Sequence, residues 1–236
     1  MTCISDPRVV AGMTRQLARR RELIGAGEPA LGWKVGLGTP AAQNNLDTDC
    51  AMVGYLMRRA LLPSGARVSL KGWVRPVAEA EIAVHMVRDL APGADEASLR
   101  AAIGALGPAI ELADMDPVPS RDNLEIVLAG DIFQRHVILG EPDRARAGGR
   151  LDGLSVHIAR NGETLAQTSD PQANTGKLIE IVALVARMAA AFGEKVRAGD
   201  VIITGSITPP VMLEPADREF TVGFEGDDAI SCKFSF

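Results

Sequence analysis

Three acidic side chains stand in stretches whose other residues read as buried. In Val77-Ala78-Glu79-Ala80-Glu81-Ile82-Ala83-Val84 the even positions are apolar, so a strand here turns Glu79 and Glu81 toward one face. Two ionised carboxylates about 7 Å apart along the backbone repel unless water or a cation lies between them. For an isolated Glu-x-Glu a solvent-facing strand edge is the plainer explanation. The second stretch, Gly107-Pro108-Ala109-Ile110-Glu111-Leu112-Ala113-Asp114, sets Glu111 within an otherwise apolar strand. A lone carboxylate there is costly unless it is paired or bound to metal. Three carboxylates with no cysteine and no well-placed histidine beside them form a hard oxygen site, which suits Mg²⁺ or Mn²⁺ better than zinc or copper. Calcium would usually want more ligands. His85 shares the strand face of Glu79 and Glu81 but lies about 13 Å beyond Glu81 along the backbone. His136 and His157, in apolar strand-like contexts, read as structural.

A lysine offers the complementary chemistry. In Leu31-Gly32-Trp33-Lys34-Val35-Gly36-Leu37-Gly38 apolar residues alternate with Gly, Lys, Gly and Gly, so Lys34 projects from a face otherwise bare of side chains, which leaves room for a ligand. Held beside a cation and partly desolvated, such a lysine loses proton affinity and becomes a proton shuttle. A surface lysine on a twisted edge strand is the plainer alternative.

The elements that must position these residues are mostly short strands, expected over 31–37, 77–87, 107–113, 154–160, 164–168, 200–204, 219–224 and 229–235. Asn161-Gly162 reads as a tight hairpin turn, and Glu225-Gly226-Asp227-Asp228 does the same near the end of the chain. Asp6-Pro7 opens a helix in which Val10, Met13, Leu17 and Ile24 recur at helical spacing as far as Gly25-Ala26-Gly27. Its basic run, Arg19-Arg20-Arg21 with Arg15, reads as a solvated face. A second helix runs from a cap at Asn174 or Thr175 to Gly193, with Leu178, Ile181, Val182, Val185, Met188 and Phe192 on one side. Shorter helices are expected over 96–105 and 121–130, and 142–153 reads as a linker. Regular βαβ alternation is missing, so the sheet is expected to be mixed or antiparallel. The expected division is a helical arm over 1–30 followed by a strand-rich domain over 31–236.

Composition narrows the partners. The chain has 236 residues and a formal net charge of -5, without the basic footprint that nucleic acid or an anionic membrane requires. Cys3, Cys50 and Cys232 lie far apart with no Cys-x-x-Cys pair, which argues against a disulfide framework and a thiolate zinc site. A reducing, cytoplasmic compartment is the expectation. Gly32, Gly36 and Gly38 do not fit Gly-x-Gly-x-x-Gly, so a dinucleotide is not expected.

Taken together, Gly32-Trp33-Lys34-Val35-Gly36-Leu37, Thr39-Pro40-Ala41-Ala42-Gln43, Val77 to Ala83, Pro108-Ala109-Ile110-Glu111 and Gly199-Asp200-Val201-Ile202-Ile203-Thr204-Gly205-Ser206 resemble the 2-oxopent-4-enoate hydratase and 4-oxalocrotonate decarboxylase branch of the fumarylacetoacetate hydrolase superfamily. The resemblance implies an α+β fold, a mixed β-sheet roll with peripheral helices, and a homo-oligomer. It implies that Glu79, Glu81 and Glu111 hold Mg²⁺ or Mn²⁺, that Lys34 works as acid and base on a small 2-oxo acid, and that Asp114 orients water. Ser206 and Thr208 would meet the substrate carboxylate, although a plain turn fits them equally. The implied activity is hydration of a 2-hydroxy-2,4-dienoate from aromatic-ring cleavage. Decarboxylation of a 2-oxo-3-enedioate, hydrolysis of an acylpyruvate, or a non-catalytic metal-stabilised role are the alternatives. C–C hydrolases of the superfamily use a histidine after the lysine strand, and residues 38–60 contain none. The chain departs from the pattern at Gly130-Asp131-Ile132-Phe133-Gln134-Arg135-His136, where an Asp-Asn-Ala-Ser-like stretch is common, and at Asp170-Pro171-Gln172-Ala173-Asn174.

Overall fold

Alternating apolar residues on the long central strands leave two faces to cover, and the chain meets this with a second sheet on one side and helices around the edges. In the computed structural model, which describes residues 3–115, 123–226 and 228–236, α1 (Pro7–Gly25) leads into β1 (Ala30–Gly36), the short α2 (Pro40–Asn45) and β2 (Met52–Met57). β3 (Leu61–Leu62), β4 (Ala66–Ser69) and β5 (Pro76–Met86) precede α3 (Glu96–Ala102) and β6 (Ile103–Asp114). After α4 (Leu124–Ala129) come β7 (Gln134–Leu139), the hairpin of β8 (Val156–Arg160) and β9 (Glu163–Thr168), and α5 (Leu178–Ala191). β10 (Val201–Ile203), β11 (Val211–Met212), β12 (Glu219–Phe224) and β13 (Ile230–Ser235) follow.

One sheet has eight strands, in the order β2-β1-β10-β5-β6-β7-β3 with β11 added to β5, and the other has five, β4-β13-β12-β8-β9. β1 runs parallel to β10, β3 to β7 and β4 to β13, while β5 and β6 are antiparallel. The fold is therefore α+β with mixed sheets, as expected. β12 and β13 pack on β6, and α1 packs on α4. The hairpin turn carries left-handed residues at Asn161 (φ 55) and Gly162 (φ 82), the pairing that a right-twisted two-residue turn requires. Asp227 of the other expected turn lies outside the described residues, as do the first two residues of the helix expected over 121–130.

Several expectations are corrected. The buried stripe of α1 is Val9, Met13, Leu17 and Leu23, while Val10 and Ile24 are 42% and 41% exposed. Arg20 is not on a solvated face: it lies buried over the Trp33 ring, 4.6 Å from the centroid, and pairs with Glu194 at 2.9 Å. α5 begins only at Leu178, because Gly176 takes a left-handed φ of 85 and Gln172 Oε1 accepts the Leu178 N–H at 2.8 Å. α3 ends at Ala102, where Ile103 turns extended and opens β6. Residues 142–153 are no linker, since Leu106 and Asp143 exchange backbone hydrogen bonds of 3.2 and 2.7 Å. Cys3 and Cys50 form a disulfide with Cα atoms 6.3 Å apart. Their sequence separation of 47 residues is closed where the start of α1 meets the segment after α2, with the Arg8 guanidinium on the carbonyls of Leu46 and Asp47.

Candidate metal centre and active site

The β5–β6 register sets Glu79 directly opposite Glu111, with Glu81 opposite Ala109 on the same face. Like charges placed opposite one another on a sheet face repel. Here the three carboxylates each bring an oxygen to within 4.8 Å of the others. Glu81 and Glu111 are buried, and Glu79 is half-buried at the wall of a cavity of about 270 Å³. Burial, reinforced by the charge of Glu111, pushes Glu79 up to about 7. The same causes, with Glu79 added, push Glu81 well above the usual carboxylate range. Glu81 Oε2 accepts the Gly205 N–H at 2.7 Å, but its Oε1 is buried with no hydrogen-bond partner. An orphaned acid oxygen flanked by two more carboxylates fits a hard divalent cation. The other grouping of this kind among the described residues, Cys3, Asp49 and Cys50, has both of its sulfurs in the disulfide.

Lys34 enters from β1, opposite Gly54 on β2 and beside Ile203 on β10. Its Nζ donates to Glu111 Oε1 and, at 3.1 Å, to the Ile132 carbonyl. Burial alone would disfavour the ammonium, but the charges of Glu111 and Glu79 outweigh it and hold the pKa above its ordinary value. These acids hold the proton on Lys34, and the loss of proton affinity expected of it belongs to the site with a cation beside it. Gly54 makes the arrangement possible: a Cβ there would stand 2.7 Å from Asp131 Oδ1 and 2.8 Å from Lys34 Cγ.

Asp131, Ile132 and Phe133 take left-handed φ values of 57, 50 and 66 in succession. Such residues cost on the order of 1–3 kcal/mol each and persist only where their surroundings over-determine them. Here Asp131 Oδ1 accepts the Tyr55 N–H at 2.8 Å, and the turn that follows aims the Ile132 carbonyl at Lys34. Burial pushes the Asp131 carboxyl up to about 8. The stretch 130–136, where the sequence departs from the pattern it resembles, thus lines the cavity through Ile132 and Phe133.

The sequence model described as Fumarylacetoacetate (FAA) hydrolase C-terminal matches residues 34–230. The chain belongs to the fumarylacetoacetate hydrolase family. Its curated relatives include a 2-hydroxyhexa-2,4-dienoate hydratase of Comamonas testosteroni, 29% identical over 213 residues that span 89% of this chain and 80% of the relative. A 4-oxalocrotonate decarboxylase of Pseudomonas putida is 29% identical over 220 residues, 93% of this chain and 82% of that one. Among solved structures, 4-oxalocrotonate decarboxylase from Pseudomonas putida G7 complexed with magnesium and adipate superposes with a TM-score of 0.81 at 28% identity, covering 93% of this chain and 83% of that chain. The chain thus falls in the hydratase and decarboxylase branch of the fumarylacetoacetate hydrolase family.

In this family member Asp114 does not reach the cavity. It lies three residues beyond Glu111 on the same strand and so faces the other way. Its carboxylate accepts the Val74 and Arg75 N–H groups at 2.9 and 2.8 Å and meets Arg135 at 3.4 Å. The water-orienting role read for Asp114 is corrected accordingly. Ser206 lines the cavity with an Oγ that is buried and unpartnered, whereas Thr208, also unpartnered at Oγ1, is not among the lining residues. Asn174, in the second departing stretch, donates to the Ser206 carbonyl at 2.8 Å and lines the cavity with Thr175. The histidines stay outside: His136 stacks on Trp73 with ring centroids 6.1 Å apart, and His157 bonds Thr164.

Proposed function

We propose that the chain is a divalent-metal-dependent hydro-lyase that adds water to a 2-hydroxy-2,4-dienoate, the enol of a 2-oxo-4-enoate, in the breakdown of aromatic-ring cleavage products. The unpartnered Glu81 oxygen, set among Glu79, Glu111 and the Lys34 ammonium, carries this reading. Glu79, Glu81 and Glu111 would hold Mg²⁺ or Mn²⁺, which when bound supplies Lewis-acid polarisation of the substrate's 2-oxo and carboxylate oxygens. Protonated Lys34 delivers a proton from Nζ to C5 of the dienol and is recharged by the proton leaving the 2-hydroxyl, giving a 2-oxo-3-enoate. The oxygen of water then bonds to C4 and a proton is added at C3, giving a 4-hydroxy-2-oxo acid. The Ile132 carbonyl would keep Nζ aimed, and Ser206, at the cavity wall, would donate to the substrate carboxylate.

Decarboxylation of a 2-oxo-3-enedioate is the second reading, supported by the likeness to the decarboxylases in sequence and fold. A non-catalytic role is disfavoured by Lys34, since a purely structural cation needs no ammonium beside its ligands. A small 2-oxo acid as sole partner, a homo-oligomer and a cytoplasmic location complete the reading. One panel tests it. Protein with Mg²⁺ or Mn²⁺ is offered 2-hydroxypenta-2,4-dienoate, 2-oxohex-3-enedioate and an acylpyruvate, with loss of the dienol chromophore, CO₂ release and C–C cleavage followed separately. Chromophore loss with the first substrate is expected. Metal binding without turnover of any of the three would favour the non-catalytic role.

A further inference from the structure

The disulfide between Cys3 and Cys50 joins two parts of the chain that are unequally anchored. On one side α1 is fixed in the core, with Val9, Met13 and Leu17 at 0% exposure, and the N–H of its cap Asp6 bonds the Cys3 carbonyl at 3.1 Å. On the other side stands the segment between β1 and β2, from which Leu37, Gly38, Thr39, Ala42 and Asn45 line the metal-site cavity. This wall is thinly held. α2 buries none of its six residues, and Leu46 is the one buried residue from Leu37 to Ala51. We propose that Cys3 and Cys50 form a thiol–disulfide exchange site for low-molecular-weight disulfides, and that closing the bond fastens this wall of the cavity to α1.

Both cysteines are half-buried, so a small reagent meets their sulfurs near the surface. One cysteine thiolate attacks the small disulfide and releases one small thiol, and the second cysteine thiolate then displaces the other. Two protein thiols are thereby oxidised, and one small disulfide is reduced to two thiols. Excess reduced thiol runs the same steps backward. In the reducing compartment expected from the sequence, disulfides are commonly transient and redox-sensing. Cys232 stays out of the exchange: it is buried, and burial pushes its thiol up to about 12. With the bond open, the wall keeps Leu46 and the Arg8 bonds to the Leu46 and Asp47 carbonyls, and backbone with so few buried contacts opens locally at low cost.

The test is amide hydrogen exchange on the whole protein, equilibrated with reduced or with oxidised glutathione and read by mass spectrometry. The amides of 37–50 are expected to exchange about tenfold faster in the reduced protein, with those of α5 unchanged. The melting temperature should fall by roughly 5–15 °C on reduction. On the Mg²⁺-loaded protein, calorimetry should show pyruvate binding weakened about fivefold by reduction. Cys3→Ser should match the reduced protein in both buffers, and the unmodified protein gives its answer without that variant. If pyruvate gave no heat in either buffer, the metal-site reading would suffer, while the exchange measurement would still decide the proposal. Equal exchange over 37–50 in the two buffers would overturn it. So would a bond that survives excess dithiothreitol in the folded protein, since that is a fixed brace. Asp49 brings a carboxylate oxygen within 4.8 Å of both sulfurs, so Zn²⁺ is added to the reduced protein as a further arm. Slow exchange restored by zinc would make the pair a metal clamp and would equally overturn the proposal.

Discussion

Two buried carboxylates in this molecule have opposite fates. Asp217, beside the five-stranded sheet, is 1% exposed, yet Arg160 Nη2 donates to it at 2.7 Å, the Glu214 N–H at 2.7 Å and Asn161 at 3.4 Å. Burial works against its charge, but the bonds from Arg160 outweigh it and hold the pKa below the ordinary value. Glu81, in the eight-stranded sheet, is equally buried, receives one N–H, has an oxygen with no partner, and is pushed upward. Burial therefore does not distinguish a structural acid from a ligand; the completeness of its hydrogen bonding does. Asp114, whose oxygens meet two N–H groups and Arg135, falls with Asp217.

The comparison can be broken from either side. Glu81→Gln, nearly isosteric and without an ion-pair partner to strand, is expected to lower Mg²⁺ or Mn²⁺ affinity and turnover by more than about 10³-fold while leaving the metal-free melting temperature equal or higher. Lower stability with metal binding retained would place Glu81 among the structural acids. Lys34→Met should cut turnover by about 10² to 10³-fold with the cation still bound, as read by single-turnover kinetics beside a metal titration. The mirror experiment is Asp217→Ala, which leaves Arg160 with the more distant Glu214, 3.9 Å away. It is expected to cost about 2 kcal/mol in urea unfolding, discounted because the Arg160 side chain is 32% exposed, and to leave metal affinity unchanged.

The smallest effect concerns Asp131, whose folded-state carboxyl titrates at about 8. A raised acid contributes full stability below the ordinary carboxylate range, and that contribution is lost as pH rises toward about 8. Asp131→Asn keeps an acceptor for the Tyr55 N–H and removes the titration. Its melting temperature, relative to the unmodified protein, should therefore rise between pH 5 and pH 8.5. A difference independent of pH would show that Asp131 is not held protonated.

Strand periodicity made much of this legible in the sequence. The alternation over 76–86 put Glu79 and Glu81 on one face, and an acid inside the apolar run of β6 pointed to Glu111. What periodicity could not supply was which strands are neighbours: that β10 lies between β1 and β5, so that Lys34 reaches Glu111, is a matter of chain crossover. Asp114 was misplaced because its separation from Glu111 is odd, and strand parity alone was enough to see it. Asp131 and Phe133 were out of reach for another reason. Three left-handed residues in a row, none of them glycine, carry no local sequence signal, and the first of them, Asp131, is held by the Tyr55 N–H beside Gly54. The disulfide escaped likewise, because the contact between the start of α1 and the segment after α2 is tertiary.

The most direct test is a crystal grown with Mn²⁺ and measured at its absorption edge. The account predicts one anomalous peak bonded to oxygens of Glu79, Glu81 and Glu111, at about 2.0–2.2 Å, with Lys34 still within reach of Glu111. Acids that instead turn to protein donors as Asp217 does, with no manganese between them, would contradict it.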